Sequence, residues 1–189
     1  FTHFFSTQAR PTVADLRKAK LMSWQDDPNS TEAWRAGGFN PVVLSATDIV
    51  TSLQTGMIDT ILYPPSLVLA LRGYEKAGYM MDIRWSSLTA ATILKKDVWE
   101  KIPAGLRPTI LQIFQTRAKT ISIKAREMEA EAVRKMDSLG LKHVQITDRA
   151  AWDVMIKDVY KVVSGKVVPK ATFDRVFQIV SEYRAKNKK

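Results

Sequence analysis

Cysteine is absent from the 189-residue chain, and histidine occurs only as His3 and His143. Without cysteine there are no disulfides, no thiolate metal sites and no cysteine nucleophiles. His3 lies in an unpatterned terminus and His143 alternates outward on a predicted strand, so neither indicates a catalytic or metal site. The glycine pair Gly37 and Gly38 lacks the Lys-Ser/Thr of a phosphate-binding loop. We therefore expect no enzyme, no catalytic or metal-ligating residue and no cofactor.

Long hydrophobic runs are also absent. No stretch approaches the ~20 apolar residues of a membrane-spanning helix, and the longest run, residues 64–71, is interrupted by Ser66. A hydrophobic content of 46% is nevertheless ample for a packed core. The chain begins at Phe1 without a basic segment followed by an apolar one, so we expect that any targeting peptide is not part of it. These features predict a globular protein.

Positive charge exceeds negative charge, since 29 Lys+Arg against 19 Asp+Glu give a formal charge of +10. Such an excess raises the question of a nucleic-acid partner. The basic residues are spread along the chain and often adjoin acids, as in residues 124–131 (KAREMEAE), and only residues 184–189 (RAKNKK) form a dense cluster. Single-strand binding surfaces interleave basic and aromatic residues, and no such stripe is present. We expect a solvated surface and no nucleic-acid partner.

Turn residues divide the first half of the chain into short alternating segments. Strands are predicted at residues 20–24, 41–44, 57–62, 80–85 and 89–94. Helices are predicted from a capping pattern at residues 12–16 and at residues 31–36, 45–56 and 66–76. Gly56 is expected to end the third of these helices, and Asp59 to stabilise the turn or the start of the next strand by hydrogen bonding. Residues 1–11 show no clear period. The order predicts an α/β layer with parallel or mixed strands.

Residues 104–139 contain no helix breaker beyond the first turn, where Pro108 is tolerated. Apolar residues recur there at spacings of three, four and seven until Gly140 stops the run. A helix of this length measures roughly 50 Å, which exceeds the diameter of either half of such a chain. It is therefore expected to cross between two lobes. A coiled-coil arm is the alternative, although the spacing is not a strict heptad. A strand at 142–146 and helices at 149–164 and 172–186 follow.

Three aromatic residues, Trp24, Tyr63 and Trp85, stand at the ends of predicted strands. In parallel or mixed α/β sheets, ligands bind beyond the carboxyl ends of the strands. These side chains are therefore candidates for the lining of a pocket. Packing in the core or between lobes is the other interpretation, and composition alone favours it.

Four short segments carry a family likeness: residues 15–20 (DLRKAK), 38–44 (GFNPVVL), 53–59 (LQTGMID) and 96–103 (KDVWEKIP), the last of them before the long helix. On these segments the chain resembles the substrate-binding proteins of TRAP (tripartite ATP-independent periplasmic) transporters. The resemblance implies an α/β fold of the type II periplasmic-binding-protein kind, with most of the N-terminal lobe missing from this chain. The implied division is a second-lobe segment at 1–84, a returning first-lobe segment at 85–103, a spanning helix at 104–140, and a second-lobe strand with closing helices at 141–189.

The resemblance also implies a role and partners. A periplasmic or otherwise extracytoplasmic protein would bind a small solute and deliver it to the integral membrane permease of a TRAP transporter. The missing N-terminal lobe would come from another chain or from a homo-oligomer. A ligand-sensing or protein-interaction domain of the same fold is the alternative.

Two departures from the family pattern concern the ligand. The family arginine on the strand after the DLR-x-x-K segment is Met22 here, and the asparagine before the following proline is Tyr63. Both changes remove polar recognition, which favours an apolar or amphipathic solute. Because neighbouring strand residues face opposite ways, only one of Arg84 and Trp85 can face the cleft, and we choose Trp85. The expected ligand-binding residues are Met22, Trp24, Leu62, Tyr63 and Trp85.

Overall fold

A computed structural model describes residues 1–187 of the chain. Its strands are β1 (His3–Ser6), β2 (Met22–Trp24), β3 (Val42–Leu44), β4 (Thr60–Tyr63), β5 (Tyr79–Met81) and β6 (Lys142–Val144). Its helices are α1 (Val13–Arg17), α2 (Pro28–Ala36), α3 (Ile49–Thr55), α4 (Pro65–Ala70), α5 (Lys96–Lys101), α6 (Arg107–Asp137), α7 (Arg149–Lys166) and α8 (Lys170–Lys186). The last two residues of the basic cluster at 184–189 lie outside the described part.

The strands form a mixed sheet. Four strands pair in the order β4-β1-β5-β6, with β1 antiparallel to both neighbours and β5 parallel to β6. The parallel pair β2-β3 joins this sheet beside β4 through a parallel bridge between Leu21 and Thr60. The predicted α/β layer with mixed strands is therefore confirmed.

The central strand β1 has no sequence period because both of its faces are buried. Phe4, Phe5 and Ser6 are 0% exposed. Phe4 faces one side of the sheet and Phe5 the other, since successive strand residues alternate. A strand that is covered on both faces reads as a continuous apolar run rather than an alternation, and residues 1–11 therefore gave no strand prediction.

Helices cover both faces of the sheet. On one face, Phe5 and Met80 pack in a core with α3, α4 and the last turns of α6, where Met136 is fully buried. On the other face, Phe4 and Met81 pack in a second core with α1, α2 and α7. Burying both faces of a short sheet in this way gives a three-layer α/β/α arrangement.

Two glycines punctuate the helices as expected. Gly56 ends α3 in the left-handed region, with φ of +73°, a conformation that glycine adopts without steric cost. Gly165, with φ of +88°, interrupts the helical geometry near the end of α7. The predicted break after residue 164 therefore corresponds to a real kink.

The strand predicted at residues 89–94 is wrong. These residues are exposed and form no strand pairing within residues 1–187, and β5 ends at Met81 rather than at residue 85. Their β-rich composition is not enough to form a strand, because strand propensity reflects the packing of side chains against a paired neighbouring strand.

The long helix is confirmed. Helix α6 has 31 residues, which at 1.5 Å per residue spans roughly 46 Å. Among residues 1–187, no apolar side chain between Met81 and Ala132 is buried. The intervening region exposes large apolar side chains, including Leu88, Ile93, Leu111, Phe114, Ile121 and Met128. The first two thirds of α6 therefore extend beyond the cores that the described residues form.

Candidate functional site

One edge of the sheet collects the carboxyl ends of five strands. Strands β2, β3, β4, β5 and β6 run in the same direction, and β1 runs against them. Trp24, Leu44 and Tyr63, the segment 82–85 and residues 1–3 therefore lie at this edge, which we call the carboxyl edge. Ligands of open α/β sheets bind at such an edge.

An aromatic pair forms one part of the carboxyl edge. The rings of Trp24 and Tyr63 lie 5.3 Å apart at 75°, and Met22 belongs to the same core cluster. Met22 is 2% and Tyr63 3% exposed, whereas Trp24 is half-buried. Burial raises the pKa of the Tyr63 hydroxyl to about 12, so this group stays protonated at physiological pH. The pair offers an apolar wall whose accessible member is Trp24.

Leu62 and Trp85 lie on the opposite face of the sheet. Leu62 pairs with Phe4, and Trp85 stacks on Trp34 with ring centroids 5.2 Å apart and planes at 21°. Strand alternation separates Leu62 from Tyr63, whereas Arg84 and Trp85 lie beyond the end of β5. The structure thus brings Met22, Trp24 and Tyr63 together and places Leu62 and Trp85 in the other core cluster.

A pocket of about 620 Å³ opens beside the carboxyl edge, between β1, α4 and α6. Its polar and aromatic lining comes from Phe1, His3, Arg84, Arg126 and Glu129, and we call it the basic pocket. His3 is the register partner of Tyr63 on the adjacent strand, so the basic pocket adjoins the aromatic pair. Sequence reasoning missed Arg126, which only the folding of α6 onto the sheet brings near Arg84.

The one carboxylate in the basic pocket has its own partner. Glu129 accepts hydrogen bonds from the backbone N–H of Ser66 at 2.9 Å and from its hydroxyl at 2.5 Å. These groups lie in the first turn of α4, whose N-cap residue, Pro64, has no side chain that could cap it. A carboxylate at a helix N-terminus satisfies free N–H donors. Glu129 therefore stabilises α4.

The two arginines of the basic pocket carry charge without a carboxylate partner. Among residues 1–187 neither guanidinium forms an ion pair. Arg84 instead lies over the Phe1 ring at 5.5 Å. The pKa of His3 is lowered, first by burial, with the nearby Arg84 adding to the effect, so its ring favours the neutral form. The pocket can thus accept an anionic group.

Asp59 lies at the other edge of the sheet and has a structural role. Its Oδ2 accepts from Nη2 of Arg10 at 2.8 Å, and its Oδ1 accepts from the Lys20 backbone N–H at 3.0 Å and the Thr60 hydroxyl at 2.8 Å. Arg10 is 3% exposed and also donates to the Ser6 hydroxyl. The expected stabilisation of the strand start by Asp59 is confirmed.

The family model for bacterial extracellular solute-binding proteins, family 7, matches residues 1–166. The chain belongs to this family. Family members are transport solute-binding proteins and not enzymes. The TRAP resemblance is thereby confirmed. Within residues 1–187, no helix is both long and apolar enough to span a membrane. In the same part, no group of three or more His, Asp or Glu side chains is arranged so that it could hold a metal ion.

The matched relatives are longer than this chain. A solute-binding protein of Roseobacter denitrificans is 28% identical over 158 residues, covering 80% of this chain and 47% of its own length. The C4-dicarboxylate-binding periplasmic protein DctP of Rhodobacter capsulatus is 23% identical over 133 residues, covering 69% of this chain and 40% of its own length. The chain therefore spans less than half the length of these curated relatives.

A solved structure confirms the fold class. A TRAP periplasmic solute-binding protein of Fusobacterium nucleatum, determined with bound sn-glycerol-3-phosphate, superposes with a TM-score of 0.80 at 22% identity. The match covers 100% of this chain and 60% of that one. The chain therefore has part of the periplasmic-binding-protein fold.

Proposed function

We propose that this chain forms part of an extracytoplasmic, periplasmic protein that binds a small solute for a TRAP-type transporter and delivers it to the integral membrane permease. Membership of the family and the periplasmic relatives support this function. The observation that carries it is the basic pocket, where Arg84 and Arg126 lie beside the aromatic pair at the carboxyl edge. Binding pockets of this kind combine an apolar wall with a few convergent polar groups.

The solute that fits these groups is an amphipathic anion. A guanidinium recognises carboxylate and phosphate groups through paired N–H donors, and Trp24, the accessible member of the aromatic pair, offers apolar surface to the rest of the solute. The Rhodobacter relative is named for binding C4-dicarboxylates, and the Fusobacterium protein holds sn-glycerol-3-phosphate. Both ligands are anions, which weighs against the purely apolar solute that the sequence also allowed. An amphipathic solute would contact Trp24, which packs against the buried Met22 and Tyr63 in the same cluster.

A further lobe completes the site in this proposal. The exposed apolar side chains from Leu88 to Met128 form a surface that needs a cover. We place residues 85–103 and the first part of α6 against a second α/β lobe. The matched solved structure, of which this chain covers 60%, supports a larger whole. Closure of two lobes around the carboxyl edge would exclude water and strengthen charge recognition.

Replacing Arg84 or Arg126 by glutamine is expected to weaken binding of the preferred anion by about 10- to 100-fold each, because a hydrogen bond to a charged group contributes about 1.5–3 kcal/mol. The preferred ligand is first chosen by thermal shift from dicarboxylates, aromatic carboxylates and sugar phosphates. Isothermal titration calorimetry then gives the affinities.

Arg134→Gln is the matched control, since Arg134 is exposed on the same helix, does not line the basic pocket and lies beyond the surface from Leu88 to Met128. It should bind as the parent does. The proposal is wrong if the preferred ligand is uncharged, or if both pocket variants bind it with parent affinity.

A further inference from the structure

The imidazole of His143 lies between two carboxylates from different elements. Its Nδ1 is 2.9 Å from Oδ1 of Asp82 and its Nε2 is 2.9 Å from Oδ1 of Asp137. The Gln145 side-chain amide donates to the other oxygen of Asp82. The His143 side chain remains 39% exposed, so solvent protons can reach the ring.

These two carboxylates mark where the chain leaves and re-enters the sheet. Asp82 follows β5 directly and stands two residues before Arg84 of the basic pocket. Asp137 is the last residue of α6. A tight turn then leads into β6, with the backbone N–H of Gly140 donating to the Asp137 carbonyl at 3.1 Å. His143 therefore links the outgoing segment to the end of the returning helix.

The protonation state of the imidazole ring determines to how many of the two carboxylates it can donate a hydrogen bond. A neutral imidazole has one N–H donor and one acceptor nitrogen, whereas an imidazolium has two donors. Carboxylates only accept when ionised. Only the protonated ring can therefore donate to Asp82 and Asp137 together. After deprotonation, one carboxylate oxygen faces a ring lone pair at hydrogen-bonding distance, which is repulsive.

We propose that His143 is a proton-dependent clasp that, when protonated, holds the end of α6 against the segment carrying Arg84, and that loses one of its two links on deprotonation. His143 is then a positioning residue for the basic pocket. That consequence for Arg84 rests on the proposed function, whereas the clasp itself does not. A looser clasp lets the end of α6 shift relative to residues 82–85.

The electrostatic surroundings agree with the geometry. Hydrogen bonding to Asp82 and then to Asp137 raises the pKa of His143 above its ordinary value of 6.5. These are the charged groups that contact the ring from β5 and α6, while Lys142 of β6 lies over the Tyr79 ring at 5.1 Å. A raised pKa means that the clasp stabilises the fold fully below the unfolded-state pKa and loses this contribution as pH rises through the folded-state pKa.

His3 provides an internal contrast. Its pKa is lowered by burial, so its contribution to stability is present above the unfolded-state pKa and is lost as pH falls. The chain holds only these two histidines. Two imidazole signals in a proton–carbon NMR titration, assigned with His3→Gln and His143→Gln, therefore report the two sites separately.

The titration tests the clasp directly. We expect the His143 signal to titrate above 6.5 and the His3 signal below it. Asp137→Asn should shift the pKa of His143 downward and leave that of His3 unchanged. Asp153→Asn, an exposed change on α7, is the matched control and should shift neither. A His143 signal that titrates at or below 6.5, or that ignores Asp137→Asn, overturns the proposal.

Hydrogen exchange tests the positioning role. Protection factors of the amides at residues 138–141 and 82–84 are compared at about pH 5 and about pH 8, the range over which histidine changes charge. We expect lower protection at the higher pH in the parent, and loss of this difference in both His143→Gln and Asp137→Asn. A difference that persists in the two folded variants contradicts the clasp. Neither measurement requires a solute, so failure of the solute proposal would leave these results unchanged.

Discussion

Replacing Asp59 by asparagine is expected to lower the free energy of unfolding by about 3–5 kcal/mol, the range for breaking a buried ion pair by removing one partner. Arg10 is 3% exposed and its Nη2 lies 2.8 Å from Asp59 Oδ2. Without the carboxylate, the guanidinium charge remains buried and uncompensated. Urea unfolding followed by tryptophan fluorescence measures the loss.

Asp174→Asn is the matched control for this change. Asp174 also pairs with a cation, since its Oδ2 lies 2.7 Å from Nζ of Lys170, but both side chains are exposed. Exposed helix pairs contribute only about 0.3–0.5 kcal/mol. If Asp59→Asn proves as mild as Asp174→Asn, the network around Arg10 does not hold the sheet edge together.

Replacing Phe4 by alanine is expected to cost about 3–5 kcal/mol in the free energy of unfolding, as for other buried phenylalanines. Phe4 is 0% exposed in the central strand, and its ring lies 5.2 Å from that of Trp85 and 5.9 Å from that of Trp34. Alanine would leave a cavity between these rings. Chemical denaturation gives the energy, and near-ultraviolet circular dichroism reports the loss of ordered tryptophan.

Phe1→Ala provides the comparison for Phe4→Ala. Phe1 is 54% exposed, and its ring lies under the guanidinium of Arg84 at 5.5 Å. Removing it should cost about 0.5–1 kcal/mol. Equal losses from the two substitutions would show that the aromatic cluster around Phe4 is not tightly packed.

Local signals in the sequence predicted most of the elements. Capping residues, turn clusters and glycines act within a few residues, so Thr12 could mark the start of α1 and Gly56 the end of α3. The long helix was predictable because its apolar spacing persists over many turns. Strand β1 escaped prediction because both of its faces are buried, and residues 89–94 misled because they have strand composition without a pairing partner.

The candidate site was predictable only in part. The carboxyl ends of strands can be located from the order of elements, which pointed to Trp24 and Tyr63. The pocket beside them depends on where α6 crosses the sheet, so no local pattern connects Arg126 to Arg84. Alternation along the strand could have separated Leu62 from Tyr63, since these neighbours face opposite cores.

Both proposals depend on the same junction. The segment 82–85, which follows β5, contributes Asp82 to the clasp and Arg84 to the basic pocket. Helix α6 contributes Asp137 to the clasp and Arg126 to the pocket. Because one rigid helix holds both residues, a shift of its end would also move Arg126.

Native mass spectrometry of the protein purified from its source, under conditions that retain small molecules, tests the central claim most directly. The account predicts a bound anionic solute of low mass and a further polypeptide lobe that covers the apolar surface from Leu88 to Met128. The solute should be lost from Arg84→Gln. A lone, folded chain of 21.4 kDa without any bound solute would contradict it.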